Sequence, residues 1–537
     1  MTIKILYVIP PYFEFADNSI SNKLPSFTIP YGIMSIDSYI KKNIENVESC
    51  LLDFNVEINK HKEYNIDTLK NKTIEFKPDV VAISALFDTS YNYLDKISTV
   101  IKNISKSTFI IVGGGLPTNL YEKILNDCSN IDMICYGEGE IPIVDLLRNS
   151  LLSNDTFLIR CTFEHKSLIN RKTIKEEKIP INSFVYNLDD IPEFNYNLIN
   201  LDDYNSRSLN KDSNTNNKRE MSIHTSRGCP FNCVFCSNGK LHGKKVRYMS
   251  VERVVNEIRN MIKNYNLTTL MIEDDHFLFN KKRAKEILKQ ISQFNIKIEF
   301  PNGIAVYSID EEIGKLLKKA GTSVIALAVE SGSDYVLKNI IDKPHTSSMI
   351  KPKVEILRKN NIQVQAFIVI GLPGETDEHR LETLNMLKKV GFDWVHIFLA
   401  IPIVGSRLYD ICIKNNYLIT NENTTTNMNN HITSKACIKT PTIDPIQLEK
   451  YAYFMNLDIN FVHNYNIKRG NYEKAKSFFE NVVKRYPNHA FAYYYLSEAQ
   501  KHLGVDKSII KENCDKAIKI IKTDKIWNNY AKQVNII

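Results

Sequence analysis

Over the first 150 residues, short apolar runs alternate with amphipathic stretches long enough to form helices. The apolar runs Lys4–Ile9, Ser49–Phe54, Asp79–Ala85, Thr108–Gly113 and Asp132–Tyr136 read as strands. Strands spaced by helices predict an α/β domain with a doubly wound parallel sheet. Two strands end in glycine turns, Gly113-Gly114-Gly115 and Gly137-Glu138-Gly139-Glu140. Ligands of such sheets sit beyond the carboxyl ends of the strands, so these turns mark a candidate binding edge. The rhythm lapses over 151–220, where Asn205–Asn217 reads as a loop. It resumes with strands expected at 221–226, 268–273, 296–304, 323–329, 363–370 and 393–399. Ser250 caps a helix whose apolar stripe runs Val251, Val254, Val255, Ile258, Met261, Ile262, Tyr265. Asp310 starts another, with Glu311 and Glu312 in its first turn and Gly321 past its end. Six strand–helix units predict a partial (β/α)6 barrel, with chemistry at the carboxyl strand ends. Residues 416–445 are polar and rich in Asn and Thr, and the remainder reads as helical.

A length of 537 residues predicts several domains. The expected division is 1–150, a linker 151–220, a core 221–415, a connecting segment 416–465 and a helical tail 466–537. With 43% hydrophobic and 24% charged residues the chain is globular, and a net charge of +8 over this length gives no argument for nucleic acid. No apolar run approaches the ~18 residues of a membrane span. The start, MTIKILYVIPPYF, reads as a first strand rather than a signal peptide. Seven of the ten cysteines are scattered, which argues against a secreted disulfide framework and makes the cytoplasm the expected compartment.

The other three cysteines form Ser226-Arg227-Gly228-Cys229-Pro230-Phe231-Asn232-Cys233-Val234-Phe235-Cys236, after one expected strand and before a helix. Three thiolates spaced by four and three residues can fold round one cluster face. A four-iron cluster needs four ligands, so three leave one iron open to a small molecule. The alternative is structural zinc, with His224 or His242 as fourth ligand, although no second paired-cysteine motif is present.

This segment resembles the radical S-adenosylmethionine (SAM) enzymes, whose signature is CxxxCxxC with an aromatic before the last cysteine, here Phe235. The resemblance covers about 200–400. It implies a TIM-like partial barrel and a 4Fe-4S cluster on Cys229, Cys233 and Cys236 whose open iron binds SAM. Reductive cleavage of SAM then yields a 5′-deoxyadenosyl radical. Further motifs follow in the family's order. Met271-Ile272-Glu273-Asp274-Asp275-His276-Phe277 resembles the acidic segment that meets the SAM amino group, implicating Asp274 and Asp275. Leu327-Ala328-Val329-Glu330-Ser331-Gly332-Ser333 resembles the ribose-contacting segment, implicating Glu330 and Ser331. Phe367-Ile368-Val369-Ile370-Gly371-Leu372-Pro373-Gly374-Glu375-Thr376 resembles the turn against adenine, implicating Gly371, Pro373 and Gly374. Asn302-Gly303-Ile304-Ala305 departs from the family, because many relatives carry an arginine near the end of the third strand.

The first 150 residues resemble the Rossmann-like cobalamin-binding domain fused to many radical SAM enzymes. The resemblance rests on Pro78–Ser84, Ile111–Thr118 and Cys135–Glu140. It implicates Ser84, Gly113, Gly114, Gly115, Thr118, Gly137 and Glu138 in holding cobalamin. The domain has no Asp-x-His-x-x-Gly motif, so no histidine from that motif would ligate cobalt. The other reading is a module that holds no ligand.

In the tail, Gly470, Tyr472, Ala475, Phe479 and Pro487 have tetratricopeptide-like spacing, with Tyr493, Leu496 and Gly504 as a partial second copy. The tail is expected either to cap the barrel or to bind a protein partner. The implied activity is methyl transfer from cobalamin to an unactivated carbon of a small molecule or peptide, with electrons from a flavodoxin or ferredoxin. The alternatives are a radical oxidative cyclase and a cluster-bearing scaffold that recruits a partner.

Overall fold

A computed structural model describes residues 2–12, 28–153, 163–204, 219–419 and 435–536. Asn205–Asn217 and Cys161 lie outside the described residues. The first sheet comprises β1 (Ile3–Ile9), β2 (Val47–Asp53), β3 (Val80–Ser84), β4 (Phe109–Gly113), β5 (Met133–Cys135) and β6 (Leu168–Ile169), in the order β2-β1-β3-β4-β5-β6. The first five strands are parallel. Side chains alternate between two covered faces: Leu6 and Val8 join one apolar cluster, and Ile5, Tyr7 and Ile9 join the other.

The stretch expected to be linker supplies β6, which runs antiparallel to β5. Two residues carry no period that a sequence pattern can reveal. The strand exists because β5 offers an unpaired edge.

The second region holds β7 (Glu220–Ile223), a short antiparallel pair β8 (Ser226–Arg227) and β9 (Arg247–Tyr248), then β10 (Thr269–Ile272), β11 (Lys297–Glu299), β12 (Ile304–Ala305), β13 (Val324–Glu330), β14 (Gln363–Ile370) and β15 (Trp394–Leu399). The strand expected at 296–304 is interrupted. Its first part, β11, closes the sheet β11-β10-β7, and β12 opens the sheet β12-β13-β14-β15. Pro301 in the gap lacks an N–H, and Gly303 has φ 78° against the Phe367 ring, where a Cβ would come to 3.0 Å. A single apolar cluster, reaching from Ile29 and Met34 in the first domain to Ile459, lines both sheets, so together they form one barrel-like wall.

The helices form as the sequence predicts. Ser250 Oγ accepts from Arg253 N at the start of Val251–Tyr265, which buries Val254, Val255, Ile258 and Met261. Asp310 caps Glu311–Lys319 in the same way. The C-terminal helices run from Pro445–Leu457 through Lys525–Gln533; the first of them and the turn Asp458–Val462 lie against β15, and the later ones pack on one another. Asn460 both accepts from Val395 N and donates to Val395 O at 2.8 Å, and Trp394 stacks on Phe478. The tail thereby covers the exposed edge of β15, a position that otherwise invites pairing with another chain. Among the described residues, no helix is long and apolar enough to cross a membrane.

Candidate active site

Cys229, Cys233 and Cys236 lie on the loop after β8, and all three are free thiols. The loop is fixed by its backbone. Val234 N donates to Ile341 O at 2.9 Å, and Leu408 N donates to Val234 O at 2.8 Å. Val234 is buried with Val336, Leu372 and Leu408, and Phe235 packs on the same cluster. The side chains between these anchors are left to the cysteines. Burial raises the thiol pKa of Cys229 and Cys233, and nearby Lys343 pulls both down. Among the described residues, no group of three or more His, Cys, Asp and Glu side chains is arranged round a single metal ion. Thiolates on a four-iron cube each meet a different iron, so they need not converge on one point.

Asp274 and Asp275 brace this loop. Asp274 accepts from Thr225 N (2.5 Å), Thr225 Oγ1 (2.7 Å) and Ser226 Oγ (2.6 Å), all just before the cysteines. Asp275 accepts from Gly228 N at 3.0 Å and from Asn238 Nδ2 at 2.6 Å, spanning the loop from end to end. Both carboxylates hold the protein's own backbone and side chains.

Glu330 ends β13 with φ 64° and forms an ion pair with Lys343, Oε1 to Nζ 3.0 Å. Ser331 is turned away toward Thr383, Oγ to Oγ1 3.0 Å. Gly371 and Gly374, on either side of Leu372 and Pro373, have φ 88° and 90°. A Cβ on Gly371 would fall 2.5 Å from Leu448, and Gly371 N donates to the buried Glu375. An aromatic group flanks the loop: Phe231 packs on His276 and Tyr307, which are hydrogen-bonded to each other.

On the sheet side, a cavity of about 700 Å³ opens between the carboxyl ends of β3–β5 and the start of the barrel. Ser84, Gly113, Gly114, Gly137 and Glu138 line it from one side, and His224, Arg227 and Glu273 from the other. Gly115 and Thr118 support this edge: Thr118 Oγ1 donates to Gly114 O at 2.7 Å and accepts from Gly137 N at 3.1 Å, tying the two glycine turns together. Gly114 has φ 111°, and a Cβ there would meet Ala85 O at 2.6 Å. The demand for glycine is therefore set by the protein's own backbone.

Glu138 and Glu140 form a buried ionic junction with the barrel. Arg227 reaches Glu140 at 2.8 Å and Glu138 at 3.3 Å, and Arg247 reaches Glu138 at 2.5 Å. His242 Nδ1 lies 2.8 Å from Glu138, and Ser35 Oγ donates to Glu140. Burial works to raise the Glu138 pKa, but Arg227, Arg247 and His242 outweigh it and hold the carboxylate below its ordinary range. Sequence reading missed Arg227 and Arg247 in this role. The available signal was an arginine directly before Gly228-Cys229, but nothing local named its partners.

Residues 223–387 match the model of the radical SAM superfamily, and residues 19–147 match that of the B12 binding domain. The chain is a radical SAM enzyme with a B12-binding domain. It is 28% identical over 421 residues to an uncharacterized methyltransferase of Pyrococcus horikoshii, covering 78% of this chain and 85% of that protein. It is 27% identical over 367 residues to the cytidylyl-2-hydroxyethylphosphonate methyltransferase of Streptomyces wedmorensis, covering 64% and 68%. Its fold is similar to that of OxsB, solved with aqua-cobalamin and SAM bound, with TM-score 0.62, 16% identity and coverage of 100% of this chain and 81% of that one.

The residues of this radical SAM enzyme fit the implied cofactors. Three unbonded thiols stand on an anchored loop, as a cluster requires. The cavity has the size of a cofactor site, with apolar walls and a few polar groups.

Proposed function

We propose that this radical SAM enzyme is a cobalamin-dependent methyltransferase acting on an unactivated carbon of a small molecule or peptide. The observation that carries the reading is the cavity between the two domains, lined at once by the glycine edge of the first sheet and by Arg227, two residues from the first cysteine. When bound, the cluster supplies the electron that cleaves SAM, and cobalamin carries the methyl group.

The chain's own residues do the rest. Cys229, Cys233 and Cys236 hold the cluster. Asp274 and Asp275 act by fixing the loop on which the cysteines stand. Glu330 and the Gly371–Gly374 turn bound the SAM site, where the glycine backbone admits a flat base. Gly113, Gly114 and Gly137 present bare backbone to cobalamin beside Ser84, and the Glu138–Arg227 junction fixes the distance between the two sites. Electrons come from an external one-electron donor of the flavodoxin or ferredoxin type. The helical tail acts as a cap on β15.

The test uses protein reconstituted anaerobically with iron, sulfide and hydroxocobalamin. Reduced wild type should retain cobalamin after desalting and convert SAM to 5′-deoxyadenosine, with label from methyl-labelled SAM reaching product. The triple Cys229→Ala, Cys233→Ala, Cys236→Ala variant should fold, lack iron and leave SAM intact. A triple variant that keeps a full cluster removes these cysteines from the site. Wild type that retains no cobalamin overturns the methyl-transfer reading.

A further inference from the structure

The segment after the cysteine loop folds back onto it. Cys229 N donates to Gly243 O at 3.3 Å, and a Cβ on Gly228 would fall 2.7 Å from Lys245 O. Lys240 stands four residues after Cys236, which limits the span between their backbones to about 14 Å. The segment thereby places Lys240, Lys244 and Lys245 beside the three-cysteine loop. All three lysines are exposed, and among the described residues none forms an ion pair. Residues 179–186 lie alongside. Asn182 Nδ2 donates to Lys240 O at 2.9 Å, the Arg247 guanidinium sits 4.3 Å from the centre of the Phe184 ring, and Lys245 Nζ lies 5.9 Å from that of Tyr186. Ile179 and Tyr186 are the two most exposed large apolar side chains among the described residues, at 86% and 69%, and Ile181 is 59% exposed. Neither 179–186 nor 237–248 contains an acidic residue. The carboxylates beneath are already engaged, Asp275 with Gly228 N and Asn238, and Glu138 with Arg247 and His242.

Exposed apolar side chains set among unpaired charges of one sign form a surface suited to an oppositely charged protein. The cysteine loop beneath must receive an electron from outside the chain. Its other sides are covered: Val234 is buried between Ile341 and Leu408, and Asp274 ties the start of the loop to the barrel. We propose that Lys240, Lys244 and Lys245, with Ile179, Ile181 and Tyr186, form the docking surface for an acidic one-electron carrier protein of the flavodoxin or ferredoxin type. In the docked pair one electron passes from the reduced carrier to the cluster. The carrier is left oxidised by one electron, the cluster is reduced by one, and no atom is exchanged. The lysines steer the encounter, and the apolar side chains hold the complex. This rests on the cluster reading above.

The experiment uses the full chain reconstituted with iron and sulfide, with iron content measured on each sample. Reduced flavodoxin and reduced ferredoxin are each mixed with it by stopped flow, and reoxidation of the carrier gives the rate constant at several salt concentrations. The wild-type rate should fall as salt rises. Lys240→Glu, Lys244→Glu and Lys245→Glu together should lower it about tenfold or more at low salt, while dithionite still reduces the cluster to the wild-type EPR amplitude. The same reversal on the tail, Lys507→Glu, Lys511→Glu and Lys519→Glu together, should leave the rate near wild type. Ile179→Ser with Tyr186→Ser should weaken carrier binding without changing the salt dependence. An iron-replete loop variant that accepts electrons at the wild-type rate overturns the proposal. So does equal slowing in the tail variant, since net charge rather than this surface would then act. A wild-type cluster that takes electrons from dithionite but from neither carrier overturns it as well. If the loop variant fails to hold iron, the Ile179→Ser, Tyr186→Ser arm decides, and unchanged carrier binding there overturns the proposal. Wild type that holds no cluster at all would instead sink the cluster reading.

Discussion

At the end of β5, the carboxylates of Glu138 and Glu140 are buried and matched by the guanidiniums of Arg227 and Arg247 at 2.5–3.3 Å. On the other side of Arg227, Cys229, Cys233 and Cys236 stand as free thiols on a loop whose backbone is anchored at Val234. The first turn uses its charges on the protein itself, and the second keeps its reactive groups for a ligand. A change in the first should therefore appear as lost stability. A change in the second should appear as lost cofactor chemistry in a folded chain.

The largest expected effect is at the junction. Arg227→Met leaves two carboxylates without their shared cation in a dry environment, and should lower unfolding free energy by about 3–5 kcal/mol in urea titrations. Adding Glu140→Gln should recover part of the loss. If Arg227→Met were as stable as wild type but lacked the cluster, the junction would belong to the cysteine site and the contrast would collapse.

Gly114→Val comes next. The added side chain meets Ala85 O, and φ 111° is unfavourable for any residue with a Cβ. The combined strain should cost about 3 kcal/mol in the same titration. Cobalamin retention should fall with stability, and iron loading should be unaffected. Retention lost with stability intact would show that the ligand, rather than Ala85, requires the glycine.

The smallest effect is a pH dependence. His224 lines the cavity beside Tyr31, their rings 4.2 Å apart. Burial first, then the His242 and Arg227 charges, lower its pKa from 6.5 to about 3. Between those values the folded state binds fewer protons than the unfolded state, so stability falls as pH drops below 6.5. By pH 5 the loss amounts to about 2 kcal/mol from this group. His276, His345 and His396, each lowered to about 4 by burial, act in the same direction. Urea titrations of wild type and His224→Gln at pH 7 and pH 5 measure the contribution. An equal acid loss in both proteins would assign it to the other histidines.

Much of the fold was legible because its signals are local. The alternation of Leu6 and Val8 with Ile5, Tyr7 and Ile9 needs only the two-residue period of a strand. The caps at Ser250 and Asp310 need only a hydrogen bond three residues long. The split of the third barrel strand was less legible, although Pro301 and Gly303 stand at the break. Strand β6 was not legible, since its partner Ile134 lies far away in the chain.

The same division runs through the site. The spacing of Cys229, Cys233 and Cys236 is a property of one loop, and it determined the candidate cluster chemistry before any packing was known. Charge pairing is different, because an Asp or Glu carries no mark of its eventual partner. Only the tertiary structure decided that Asp274 and Asp275 brace the cysteine loop, that Glu138 meets Arg227 and Arg247, and that Lys343 comes to Glu330. Coulomb and hydrogen-bond energies depend on distance and dielectric, and both are set by where the elements pack.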